Sequence, residues 1–288
     1  MNKRIIDVSK WNAITNFSTI HEKVDGVIVR VGFRGNVKPT LNADPRYIPY
    51  MVELNKYGNP LGAYFMTSAI TEEEAKEEAN FFIDCIESTG VKLSIPLFVK
   101  TDWTISTHDG RSDNIDSEVR TNNIKAFIAE CKKRGYGCGI AATDKWFKEH
   151  LCLDQLVGYA KWITNKIDKI SLKDFDDAVM IKAVNDRFEV KGIAGYLTSS
   201  EINLSILGPY IKKVEKKPKK DEVVEKTEYK VFDPIKLKKA ELYKTSISST
   251  VIDVINGTHY IANEKILRGR IRISKKINGP SIGWININ

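Results

Sequence analysis

The sequence predicts an α/β domain, either a barrel or an open doubly wound sheet, followed by a small all-β barrel. Three observations predict this. Apolar, β-branched runs alternate with helix-like segments over residues 3–203. A highly charged stretch, 211–230, then interrupts the pattern. Short runs punctuated by Asn-Gly and Arg-Gly turns follow. With 288 residues, the chain is long enough for one large and one small domain. The boundaries read as 1–210, a linker at 211–230, and 231–288.

The expected strands of the first domain are Arg4–Val8, Val27–Val31, Leu61–Met66, Ile95–Val99, Gly139–Ala142, Lys161–Thr164 and Ala178–Val184. Their near-continuous apolar content suits strands buried on both faces. Between them, Thr71-Glu72-Glu73-Glu74 is a capping box. Ala75, Ala79, Phe82 and Ile86 then share a helix face, and Gly90 ends the helix. A second helix starts near Ser117, presents Phe127, Ile128 and Cys131, and stops at Gly135; a short third runs from Lys145 to Leu151. In the second domain, strands are expected at Ala240–Lys244, Val251–Ile255, Thr258–Ile261, Arg270–Ser274 and Gly283–Ile287. The turns fall at Asn256-Gly257, Arg268-Gly269 and Asn278-Gly279-Pro280.

Composition narrows the function classes. Residues 1–210 hold 27 basic and 28 acidic side chains, whereas 231–288 hold 10 and 4, so the net charge of +8 is concentrated late in the chain. A basic terminal module calls for an anionic partner. No apolar run is long enough to span a membrane. No GxGxxG or GxxxxGK follows the first strand, so a nucleotide-binding sheet would lack its phosphate loop. The cysteines at 85, 131, 138 and 152 form no CxxC and have no histidine at ligand spacing. They read as reduced structural thiols, with no metal and no cofactor.

Ile6-Asp7-Val8-Ser9-Lys10-Trp11-Asn12, Gly26 to Gly32, Asn59 to Phe65, Glu74 to Phe81, Tyr136 to Leu151, Tyr159 to Ile163 and Gly192 to Gly195 follow one another in an order that resembles glycoside hydrolase family 25, the Chalaropsis-type lysozymes of bacteria and phages. The resemblance implies an irregular, TIM-like β/α barrel. It also implies cleavage of the bond between N-acetylmuramic acid and N-acetylglucosamine. That chemistry needs a protonated carboxyl for the leaving oxygen and an ionised one for the oxocarbenium-like centre. The family draws its acids from the opening strand, from a D-x-E on the fourth strand of the pattern, and from an aspartate after the closing glycine.

Here the resemblance retains Asp7 alone. It puts Lys100 at the fourth-strand aspartate, Asp102 at the acid glutamate, and Thr198 at the last aspartate. Asp102 is one methylene shorter than glutamate, and a misplacement of about 1 Å can cost ~100-fold in rate. A neighbouring Lys100 also favours an ionised Asp102, the wrong state for an acid. Ile181-Lys182-Ala183 replaces a sugar-contacting aromatic pattern. Trp11, Tyr64 and Trp162 read as groove-lining aromatics or as packing residues. Asp7 reads as a sugar ligand or as a loop-fixing carboxylate. Glu201 and Asp109 are the carboxylates able to rescue the site if loops have shifted.

Residues 240–243, 256–261, 269–273 and 282–286 resemble the bacterial Src-homology-3-like domains at the ends of clostridial phage lysins and tail proteins. In that setting Arg270 and Arg272 supply charge, and Tyr260 and Trp284 apolar faces, for an anionic wall polymer. Basic and aromatic residues are not interleaved along a groove, which argues against nucleic acid. The N-terminus lacks the apolar core of a signal peptide. Cytoplasmic synthesis is therefore expected, with action at the cell wall or within a virion or tail-like particle, where phage tail or baseplate proteins would be partners. Two readings stay open: a wall-associated protein with a dismantled muramidase site, and an active endolysin with a rearranged one.

Overall fold

A computed structural model describes residues 3–103, 107–166, 171–175, 178–203, 231, 234–246, 248, 250–276 and 280–287. The expected linker at 211–230 lies outside the described residues. The chain divides into two compact units, Met1–Ile86 with Gly90–Lys213 and Glu87–Thr89 with Val214–Asn288.

The first unit runs β1 (Lys3–Val8), α1 (Ser18–His21), β2 (Gly26–Arg34), β3 (Leu41–Ala43), α2 (Tyr47–Lys56), β4 (Leu61–Met66), α3 (Glu72–Ser88), β5 (Leu97–Lys100), α4 (Ser117–Lys133), β6 (Cys138–Ala142), α5 (Asp144–His150), β7 (Lys161–Lys166), β8 (Val179–Phe188) and β9 (Leu197–Ile202). The sheet order is β1-β9-β8-β7-β6-β5-β4-β2-β3, and pairing of β1 with β2 closes eight strands into a barrel with β3 on its edge. A barrel, not an open sheet, is therefore the outcome. It is irregular because β9 runs antiparallel to both β1 and β8, while the other barrel pairs are parallel. The seven expected strands appear as β1, β2 and β4–β8.

Strand alternation splits the apolar residues into two layers. Ile5, Ile28, Tyr64, Phe98, Ala141, Trp162, Ile181 and Ile202 fill the barrel interior. Val27, Val29, Ala63, Phe65, Leu97, Val99 and Ile140 face outward under Ala79, Phe82 and Phe127 of the helices. Bulky interior rings fit because inward positions opposite them are glycines. A Cβ on Gly139 would lie 2.7 Å from the Ala160 carbonyl oxygen and 2.8 Å from the Phe98 ring.

Helix ends follow the sequence signals. Thr71 Oγ1 accepts from the Glu74 amide at 3.2 Å. Glu74 reaches back to the Ile70 amide at 2.9 Å, one residue short of the expected Thr71, and its carboxylate also takes both Nη atoms of Arg111. Asp116 caps α4 through the amides of Glu118 and Val119. Arg34, buried at the end of β2, donates from Nε to Glu78 on α3 at 2.8 Å and from Nη2 to Glu77 at 2.8 Å. Thr67 Oγ1 and the Ser68 amide also donate to Glu78. Burial pushes the Glu78 carboxyl up to about 7, against these hydrogen bonds and the Arg34 charge.

In the second unit, β10 (Pro234–Tyr243), β11 (Val251–Leu267), β12 (Arg270–Ser274) and β13 (Ser281–Asn286) close into a small barrel. Leu242, Ile255, Ile261, Ile271, Ile273 and Ile285 form its core. Arg268 and Gly269, both at positive φ, make the two-residue turn expected between β11 and β12. The turn expected at Asn256-Gly257 is absent: β11 runs straight through it. The extra residue sits on β10, opposite Gly257 at φ 90°, where the ladder steps from Leu237↔Gly257 to Ala240↔Ile255. Lys239 takes φ 51° there, and its amide donates to Asn256 Oδ1 at 2.7 Å. Of the third expected turn, residues 278 and 279 lie outside the described residues.

Two substitutions test this packing. Gly139→Ala should lower unfolding free energy by about 1–3 kcal/mol in urea titration. Arg34→Met, which leaves a buried carboxylate without its cation, should cost about 3–5 kcal/mol. An unchanged midpoint for either would contradict the packing described.

Candidate functional site at the barrel mouth

The inward face of each strand ends in the residues that matter. Ile5 lies in the interior, so Asp7, two residues on, faces inward at the end of β1. By the same alternation Ile28 leads to Arg30 and Phe98 leads to Lys100. Ladder pairs Ile5↔Ser200 and Ile6↔Ser199 put Ser200 on the inward face of β9, and the next step of that register sets Thr198 across from Asp7. Lys100 pairs with Ala141, which pairs with Trp162, so Lys100 and Trp162 stand at one level of the barrel. Thus the three positions singled out as Asp7, Lys100 and Thr198 come together at the mouth.

Tyr64 and Trp162 are buried and pack edge to face at 5.9 Å, with Phe98 at 5.5 Å from Trp162. They form the floor of the mouth as packing residues. The Lys100 ammonium sits above them, 5.3 Å from the Tyr64 ring centre and 5.7 Å from that of Trp162. Trp11, in the loop after β1, is 76% exposed, with the Lys10 ammonium 4.6 Å from its ring. Of the three aromatics, only Trp11 presents a free face.

The charges are arranged around Asp7. Burial raises its carboxyl pKa, while the charges of Lys100 and Arg30 and its own backbone amide pull the other way. Burial also raises the Tyr64 hydroxyl, and the Asp7 charge adds to this. Arg30 donates from Nε to Asp44 Oδ2 at 2.8 Å. Asp44, fully buried, also accepts from the amides of Lys10 and Arg46, each at 3.0 Å, and so pins the loop that carries Trp11. Sequence reading did not single out Arg30, Asp44 or Ser200. The signal for Arg30 was available: it is the lone charge in the Gly26–Gly32 run, on the same face as Ile28.

Asp102 lies just beyond β5, half-buried, and its Oδ1 accepts from the Trp103 amide at 2.8 Å. Trp103 packs against Trp146 and stacks on His108 at 3.9 Å. Neither rescue carboxylate reaches the mouth from within the barrel. Glu201 is paired with outward-facing Arg4 and lies 3.8 Å from Lys182. Asp109 is exposed and accepts from the Thr107 hydroxyl. Among the described residues no group of three or more His, Cys, Asp or Glu side chains is placed to hold a metal. No helix there is long and apolar enough to cross a membrane.

In the second unit, alternation turns Arg270, Arg272 and Trp284 away from the core. Arg270 is engaged internally: Nη1 donates to the carbonyls of Thr245 and Ser248, Nε donates to Asn286, and the guanidinium lies 3.5 Å from the Tyr243 ring centre. Arg272 donates to Ser281 Oγ at 2.8 Å and lies 5.9 Å from the Trp284 ring centre. Tyr260 is half-buried and Trp284 is buried. Arg270, expected as a surface ligand, is thus taken up by internal hydrogen bonds, and Trp284, also expected at the surface, is buried.

The raised pKa of Asp7 gives a stability test. Its carboxyl is easier to ionise in the unfolded chain, so folding loses stability as pH rises above the ordinary value of 3.8. Asp7→Asn should therefore unfold at higher denaturant than the parent at pH 7, and the gap should close below pH 3.8. If Asp7→Asn were instead less stable than the parent at neutral pH, the carboxylate would be a net stabiliser of the loop.

The model for glycosyl hydrolases family 25 matches residues 6–169, more than half of the chain. No curated protein sequence matches it. Among solved structures, the chain is similar to the modular autolysin LytC of Streptococcus pneumoniae, at 23% identity and a TM-score of 0.60, over 69% of this chain and 46% of LytC. LytC has also been solved with a synthetic peptidoglycan ligand. The chain is similar too to the catalytic domain of endolysin ply40 from Listeria monocytogenes bacteriophage P40, at 22% identity and 0.56, over 73% and 97% of the two chains. The Clostridium perfringens spore cortex lytic enzyme SleM aligns over 100% of this chain and 98% of its own, at 13% identity and 0.57. The chain thus spans less than half the length of LytC, and at these identities the likeness is one of fold. Together with the closed barrel, the family match over residues 6–169 decides the assignment: this chain belongs to glycosyl hydrolases family 25.

Proposed function

We propose that this chain is a wall-associated protein of phage or prophage type whose barrel binds peptidoglycan without cleaving it. Lys100 is the observation that carries the reading. Glycoside cleavage needs two carboxyls flanking the bond, one protonated and one ionised. At the mouth, an ammonium occupies the inward end of β5, a hydroxyl occupies the matching position on β9, and Asp7 is the carboxylate on the barrel strands that faces inward beside them. The remaining candidate acid, Asp102, is bonded to the next backbone amide. Such a site keeps an exposed Trp11 but lacks the acid pair.

In this reading the β10–β13 barrel is a Src-homology-3-like module that adds wall affinity through its excess of basic residues, with the half-buried Arg272 and Tyr260 among its candidate contacts. The chain then acts as a structural part of a phage tail or tail-like bacteriocin, in contact with other tail proteins. One observation favours the second reading, an active endolysin: burial holds the Asp7 carboxyl above its ordinary range, which is where a proton donor must sit.

Purified walls separate the two. The full chain should pellet with walls and release no reducing ends or muropeptides. Muropeptide release abolished by Asp7→Asn or Asp102→Asn would establish the endolysin instead. Removing residues 231–288 should weaken pelleting by about ten-fold or more if the module carries the affinity; unchanged pelleting would refute its role.

A further inference from the structure

At and beneath the barrel mouth, two buried polar groups have no hydrogen-bond partner among the described residues. Trp162, 2% exposed, points its indole into the barrel interior, and its Nε1–H has no acceptor among the described residues. Ser200 Oγ, on the inward face of β9 and 1% exposed, also has no partner there. A buried donor left without an acceptor costs about 1–3 kcal/mol, so each calls for an explanation. Lys100 Nζ stands at the same level as Trp162 and within 6 Å of the Tyr64 and Trp162 ring centres. Its charge acts on Asp7, yet no carboxylate lies within ion-pair distance of it among the described residues. Arg30, the other inward cation, is already neutralised by Asp44.

A neutral sugar can accept from these donors and lie on the aromatic floor, but it leaves the Lys100 charge unpaired. A group that only accepts, and carries negative charge, uses all three features at once. We propose that the barrel mouth is an oxyanion-binding site, in which Lys100 supplies the charge and Trp162 Nε1 and Ser200 Oγ supply hydrogen bonds to a carboxylate or phosphate oxygen. Lys100 thereby turns a position that the family resemblance assigns to an acid into an anion receptor. The inference rests on reading the mouth as a binding site and adds the class of group it selects. Two sources carry that chemistry in a wall: a carboxylate on the glycan itself, and a phosphodiester on an anionic polymer.

The test uses the full chain labelled with 15N at its five tryptophans. The Trp162 indole signal is assigned by its proximity to the Tyr64 and Phe98 rings. Acetate and inorganic phosphate serve as free probes. N-acetylmuramic acid is compared with N-acetylglucosamine, which lacks the carboxylate, and with glycerol phosphate. The oxyanions should shift the Trp162 Nε1–H signal, and N-acetylglucosamine should not. The stronger of N-acetylmuramic acid and glycerol phosphate identifies the source. Lys100→Met should weaken the response roughly ten-fold or more, and Ser200→Ala by less. If Lys100→Met does not fold, Lys100→Gln takes its place. Equal shifts with N-acetylglucosamine and N-acetylmuramic acid, no shift with any oxyanion, or an unchanged response in the Lys100 variants would each overturn the proposal. Muropeptide release, measured on the same sample, reports separately on the reading beneath it. A chain that cleaves nothing and ignores oxyanions refutes this inference alone.

Discussion

Closure of the barrel by β9 decides what meets at its mouth. That strand lies antiparallel between β1 and β8, and its register brings Ser200 to Ile5 and Thr198 toward Asp7. A slip of one residue would turn both side chains outward and replace them with Ser199 and Glu201. The site therefore depends on a pairing made between the first and last strands of the unit, some 190 residues apart in sequence. Interior glycines such as Gly139 let Phe98 and Trp162 fill the barrel beneath it, and that packing holds Lys100 at the height where it acts on Asp7.

The consequence is electrostatic. Family 25 chemistry, as the resemblance describes it, needs a mouth rich in carboxylates with separated pKa values. This mouth has an ammonium over two aromatic rings, a neutralised arginine and one buried carboxyl whose pKa is raised. An acid pair cannot be assembled from Asp7 and Glu201, because they belong to opposite faces of the barrel wall. Membership of the family and loss of its reaction are compatible, since fold is set by the strands and chemistry by a few residues at their ends.

Much of this was legible in the sequence, for identifiable reasons. Strands such as Val27–Val31 and Leu61–Met66 announce themselves because burial on both faces requires near-continuous apolar runs. The capping box at Thr71 marks the start of α3, and the start expected near Ser117 falls at Ser117, capped by Asp116. Asp7, Lys100 and Thr198 were locatable through family spacing. What failed to show was β9, Leu197–Ile202, whose inward positions are Thr198, Ser200 and Ile202, so that only its two ends are apolar and there is no run to read. The edge strand β3 and helix α2 were missed too; α2 buries Tyr47, Tyr50, Met51 and Leu54 at helical spacing, but a proline in its first turn masks the pattern. Asn256-Gly257 carries the strongest hairpin signal in the second unit, yet the partner strand absorbs the irregularity at Lys239 and β11 continues. The division of the aromatics into a free Trp11 and buried Tyr64 and Trp162 depends on which face of a strand each occupies, and that is fixed only by closure.

The central proposal is that the residues at the inward ends of β5 and β9 and immediately after β5 keep the barrel from cleaving glycan. Reinstating the acids tests it most directly: Lys100→Asp, Asp102→Glu and Thr198→Asp combined in one full-length chain, assayed for muropeptide release beside the parent on the same purified walls. The account predicts no products from the parent and measurable release from the triple variant. Release by the parent at a rate equal to or above that of the variant would contradict it.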